Sequence, residues 1–136
     1  MCIRDRYITA EESLEQVKIR WERLNQNSID LKIFAETNLS TIIKEIKRIN
    51  PSIAIIDSIQ AIHNDEMESS PGSVSQVRAC SSELQNLAKD NNIALLIIGH
   101  VTKDGALAGP KTLEHLVDTV ITVSYTHLTL PTSSWV

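Results

Sequence analysis

Ile53-Ala54-Ile55-Ile56-Asp57-Ser58, preceded by the turn-forming Asn50-Pro51-Ser52, decides the fold. A near-continuous apolar run with β-branched residues reads as a strand covered on both faces, the kind found in parallel sheets. Open α/β sheets gather their ligands at the carboxyl ends of their strands. Asp57 stands at such an end, where nucleotide-hydrolysing folds place an acid that helps hold magnesium against the phosphates.

Outward from that run, strand and helix signals alternate. Tyr7 to Thr9 reads as a short strand, and Glu12 to Asn25 as a helix with Leu14, Val17, Trp21 and Leu24 on one face. Leu31 to Ala35 is a second strand. Asn38 is placed to cap a helix whose Leu39, Ile42, Ile43, Ile46 and Ile49 form an apolar stripe. Ser73 and Gln76 have the spacing of a capping box ahead of a helix that turns Val74, Val77, Leu84, Leu87 and Ala88 inward as far as Asn91. Ile93 to Ile98 is another continuous apolar strand, stopped by Gly99-His100. Pro110 suits the first turn of a short helix to Asp118, and Val120 to Val123 offers a last strand. Elements of these lengths in this order predict right-handed crossovers and a mostly parallel α/β sheet with helices on its faces.

Composition narrows the function. The chain has 136 residues, 42% hydrophobic and 22% charged, enough for one domain with a real core. A formal net charge of −4 argues against a broad basic face that coats nucleic acid non-specifically, while leaving local basic loops open. No apolar stretch reaches membrane-spanning length, and the start lacks the apolar core of a secretory signal. Cys2 and Cys80 lie far apart without ligand-spaced partners, and His63, His100, His115 and His127 form no metal pattern. A reducing cytoplasm therefore fits best.

Three further positions carry potential chemistry. Glu11 follows a strand, where a carboxylate can polarise an attacking water; it equally suits the positive start of a helix. His100 ends a buried strand, where an imidazole can meet a phosphate or simply stay half-exposed and hydrogen-bonded. Residues 99–112 form a glycine-bearing loop with Lys103, Gly105 and Lys111. Its Gly105–Thr112 stretch superficially matches the phosphate loop G-x-x-x-x-G-K-[ST], yet it is one residue short. Pro110 also removes a backbone donor where a phosphate cradle needs one. A solvated loop or a contact to a nucleic-acid backbone suits it better.

The ends differ from the middle. MCIRDR (1–6) and SYTHLTLPTSSWV (124–136) resemble peptides translated from sequencing-adapter DNA, so both are expected to be non-native flanks of a domain spanning 7–123.

Taken together, EESLEQVKIRWERL (11–24), ETNL (36–39), IAIIDSIQ (53–60), SSPGSVSQVRAC (69–80) and GHVTKDGALAGPKTLEHLVDTV (99–120) resemble the RadA (Sms) family of bacterial DNA repair proteins, ATPases of the RecA/DnaB class. The resemblance covers roughly Tyr7 to Val123. It implies a partial RecA-like ATPase core, with Asp57 as the magnesium-associated acid, Ser58 beside it in the cofactor site, and Glu11 as the catalytic base. His100 would sense the terminal phosphate, and the loop with Lys103, Gly105 and Lys111 would face DNA. It further implies ATP and Mg2+ as cofactors and a homo-hexameric branch-migration motor. Single-stranded or branched DNA and the recombinase RecA would be its partners. Family members also carry a zinc module, a phosphate loop and a Lon-like domain that these residues do not include. The chain by itself is thus expected to bind and hydrolyse ATP poorly. A non-catalytic RecA-like binding domain and a DnaB-type helicase fragment are the alternatives.

Overall fold

The computed structural model describes residues 5–24, 32–100 and 110–123. They form a four-stranded, wholly parallel sheet in the order β2-β1-β3-β4. The strands are β1 (Arg6–Thr9), β2 (Lys32–Ala35), β3 (Ile53–Asp57) and β4 (Ala94–Ile98). Between them run α1 (Leu14–Arg23), α2 (Leu39–Ile49) and α3 (Val74–Asn91). The alternation expected from the sequence is therefore present, with two helix-containing crossovers flanking the run that ends at Asp57.

Register explains where the core sits. Ile8 pairs with Phe34 and Ile56, and Ile56 with Ile97, so these residues share one face with Ala54 and Leu95. That face is covered by Leu39, Ile42 and Ile46 of α2 and by Val77, Cys80, Leu84 and Leu87 of α3, all buried. Burial pushes the Cys80 thiol up to about 11, so it packs as a small neutral apolar group.

The opposite face is less covered than the apolar runs suggest. Ile53 remains 42% exposed and Leu96 48%, so β3 is closed on one face rather than both. The reason is local: α2 and α3 both join the Ile8–Ile56 side, while α1 packs along β2. Of the apolar face read for α1, only Val17 is buried; Leu14 and Leu24 are exposed. A three-and-four repeat defines a stripe but not a partner for it.

Helix ends follow their side chains. Asn38 Oδ1 accepts from the Thr41 amide at 3.1 Å, as its sequence position predicts. Its Nδ2 also donates to Asp65 at 2.6 Å. Asn38→Ala is expected to cost about 1 kcal/mol, read as a lower denaturation midpoint; an unchanged midpoint would remove the cap from the stability of α2. At the other end, Asn50 takes a left-handed φ of 46° before Pro51, a conformation asparagine tolerates better than most residues.

Ser13 caps α1 in a capping box with Gln16 that the sequence reading overlooked. At α3 the reverse occurs. Ser73 accepts from the Gln76 amide, but the Gln76 side chain does not return to Ser73. It lies buried, accepting from the Asn64 amide at 3.0 Å and donating to the carbonyls of Asn64 at 3.2 Å and Ser69 at 2.8 Å. Gln76 thus closes the β3–α3 crossover from inside, where unpaired amides would be costly. Gly72, at φ 79°, precedes this cap in a conformation that favours glycine.

Three further expectations change. Val74 is 53% exposed rather than inward, because it occupies the first residue of α3 ahead of the face defined by Val77 and Leu84. The helix from Pro110 to Asp118 is only a 3-10 turn at Pro110–Thr112 followed by turns. Val120 to Val123 forms no strand among the described residues, and Ile121 is 79% exposed. Its β-branched residues suit a strand only where another strand lies beside it. Among the described residues β4 likewise pairs with β3 alone.

Candidate functional site

The carboxyl tips of β1, β3 and β4 lie side by side, and each carries one of the residues singled out in the sequence. Thr9 pairs with Asp57, and Asp57 with Ile98 two residues before His100. Beyond β1 the chain bends sharply: Thr9 Oγ1 accepts from the Glu12 amide at 3.1 Å, and the Ala10 amide donates to the Asp57 carbonyl at 2.8 Å. This hydroxyl-closed turn sets Glu11 over the end of β3.

Glu11, Asp57, Ser58 and His100 consequently meet. His100 Nε2 lies 3.5 Å from Glu11 Oε2 and 3.9 Å from Asp57 Oδ1. The other oxygen of each carboxylate is held by a hydroxyl: Ser58 Oγ donates to Glu11 Oε1, and Tyr7 Oη donates to Asp57 Oδ2. Ser58 is fully buried and the Asp57–Ser58 peptide is cis. Glu11 and His100 are about half-exposed, so the cluster opens to solvent on one side while Asp57 sits deeper.

Two members escaped the sequence reading. Tyr7 lies on the Asp57 side of β1, since it pairs with Ile55 and alternation places it opposite Ile8. Burial, and then its bond to Asp57, push its ionisation well above the usual tyrosine range, which leaves a neutral donor. The two-residue step from Tyr7 to Thr9 was the available signal. Gln60 follows Ser58 in a 3-10 turn (Ile59–Ala61) and grips the main chain at the end of β4. Its Nε2 donates to the His100 carbonyl at 2.9 Å, and its Oε1 accepts from the His100 amide at 3.3 Å. Nothing in the local sequence announces that partner, which stands forty residues away.

Among the described residues no cluster of three or more His, Cys, Asp or Glu could cage a metal ion. One outward carboxylate oxygen on Asp57 nonetheless fits magnesium, which keeps most of its waters and binds through one or two carboxylates together with substrate phosphates. Lys111 is exposed in its 3-10 turn. Lys103 and Gly105 lie outside the described residues, as do positions 1–4 and 124–136.

A wholly parallel four-stranded α/β sheet flanked by helices, with polar residues gathered at its carboxyl edge, is consistent with a partial RecA-like core. No family model matches the chain, but individual proteins do. It is 52% identical over 115 residues to DNA repair protein RadA of Streptococcus pneumoniae, which takes in 85% of this chain and 27% of that protein. The RadA proteins of Rickettsia conorii, at 56%, and Bacillus subtilis, at 48%, match over the same 85%, covering 26% and 25% of their lengths. The chain belongs to the RadA family and spans about a quarter of the length of these relatives.

Proposed function

We propose that these residues form the hydrolytic edge of an ATP-driven DNA repair protein. The observation that supports this most is the approach of His100 Nε2 to Glu11, at 3.5 Å, and to Asp57, at 3.9 Å, at the strand tips. In this reading Glu11 accepts a proton from the attacking water through Oε2, while Ser58 keeps Oε1 occupied and the carboxylate oriented. His100, between the two acids, contacts the terminal phosphate and changes its partners when that phosphate leaves. Asp57 would hold Mg2+, which when bound neutralises charge on the β- and γ-phosphates. Lys103, Gly105 and Lys111 would meet the DNA backbone. The full-length protein would act in the cytoplasm as a homo-hexameric motor that drives branch migration of recombination intermediates formed with the recombinase RecA.

Nucleotide affinity in such proteins comes largely from backbone amides and a lysine in a phosphate loop, and this sequence contains no G-x-x-x-x-G-K-[ST] pattern. The 136-residue chain alone should therefore give no micromolar ATP binding in a calorimetric titration. The full-length protein carrying this segment should hydrolyse ATP and be stimulated by single-stranded DNA. Absence of turnover there would defeat the proposal. Lys111→Ala in that protein should weaken DNA binding uniformly across sequences and reduce the salt slope by about 1. An unchanged slope would take Lys111 off the DNA surface.

A further inference from the structure

Both carboxylates of the site share one pattern: one oxygen is held by a neutral hydroxyl and the other is turned toward His100. For Glu11 the hydroxyl comes from Ser58, its neighbour across the strand tip. For Asp57 it comes from Tyr7, which reaches diagonally across the β1–β3 pair from two residues below the tip. We propose that Tyr7 is a positioning residue for Asp57, holding Oδ2 so that Oδ1 alone faces the phosphate and cation side. The proposal rests on the function given above for what Asp57 does, but the contact itself requires no nucleotide.

Two observations and one general consideration support the role. Tyr7 Oη and Asp57 Oδ2 are direct partners. Glu12 and Arg20, which pair with each other at 2.5 Å, lie near enough to act electrostatically on the Tyr7 hydroxyl. Finally, a carboxylate on a strand tip has free rotation about its last bond, so two equivalent oxygens would otherwise exchange places. A donor on one of them removes that freedom, which is the kind of fixation a cation-orienting acid needs.

Tyr7→Phe keeps the ring and deletes only the donor. In the chain labelled with 13C at aspartate, the Asp57 carboxyl resonance should shift in Tyr7→Phe while the amide spectrum keeps its dispersion. In the full-length protein, the Mg2+ concentration giving half-maximal ATP turnover should rise about tenfold, in line with loss of one hydrogen bond to a charged group, with kcat at saturating Mg2+ changed far less. An unmoved Asp57 resonance, or a kcat loss with an unchanged Mg2+ requirement, would overturn the proposal. Should Tyr7→Phe not fold, 3-fluorotyrosine incorporation supplies the second measurement, because the only other tyrosine is Tyr125. The Tyr7 fluorine signal must then move in Asp57→Asn, and a stationary signal overturns the assignment. If the wild-type full-length protein turns over no ATP, the proposed function fails, and the carboxyl and fluorine shifts still decide whether Tyr7 holds Asp57.

Discussion

If the proposed function holds, Asp57→Ala should abolish ATP turnover in the full-length protein, and Glu11→Gln should lower it by about 10²–10⁴-fold while leaving ATP binding nearly intact. The two outcomes differ because the proposed scheme gives the two acids different tasks. Glutamine preserves the shape of Glu11 and can still accept from Ser58 Oγ, so the strand tip keeps its arrangement. What it loses is the capacity to take a proton from water. Alanine at position 57 removes the partner of Tyr7 and one of the two acids facing His100, and with them the oxygen that the proposed scheme offers to the cation. Turnover assays combined with a fluorescent-nucleotide titration separate the effects. Glu11→Gln with wild-type turnover would remove the base from the scheme, and Asp57→Ala with normal turnover would detach the strand tip from chemistry altogether.

The second large effect is on folding. Ile56 is fully buried, pairs with Ile8 and Ile97 in register, and belongs to the cluster closed by α2 and α3. Truncation to alanine leaves a cavity that close-packed neighbours only partly fill, at a cost of about 2–5 kcal/mol. Against a total stability of roughly 5–15 kcal/mol for an ordinary domain, that is a loss visible as a fall in Tm on the order of 10 °C. Ile53, three residues earlier and 42% exposed, provides the control: Ile53→Ala should cost less than about 1 kcal/mol. Equal losses at the two positions would contradict the one-sided closure of β3. Circular dichroism melts of both variants decide it.

Much of this arrangement can be read from the chain before any coordinates. A continuous apolar run can only be a buried strand or a buried helix, and the turn residues before Ile53 together with the run's short length select the strand. Three strand ends then carry Glu11, Asp57 and His100, and a parallel sheet has to bring such ends to one edge. That is why Glu11, Asp57 and His100 are expected to meet without knowing which helix packs where. Tyr7 and Gln60 were missed because their roles depend on who lies opposite them, at a separation local pattern does not encode. The same limit explains the errors at Leu14, Leu24 and Val74. Helical spacing puts them on a face, but only the placement of neighbouring elements decides whether anything rests there. Gln76 shows a subtler failure. Its spacing from Ser73 satisfies a capping pattern, yet the amides of the crossover offered the side chain a buried alternative.

The grip of Gln60 on His100 has a mechanical consequence. Its two hydrogen bonds to His100 end on peptide atoms rather than on the imidazole, so the turn after Ser58 and the chain just past β4 are tied together. A displacement of the turn that follows the Asp57–Ser58 peptide would therefore be felt by the His100 main chain without passing through its ring.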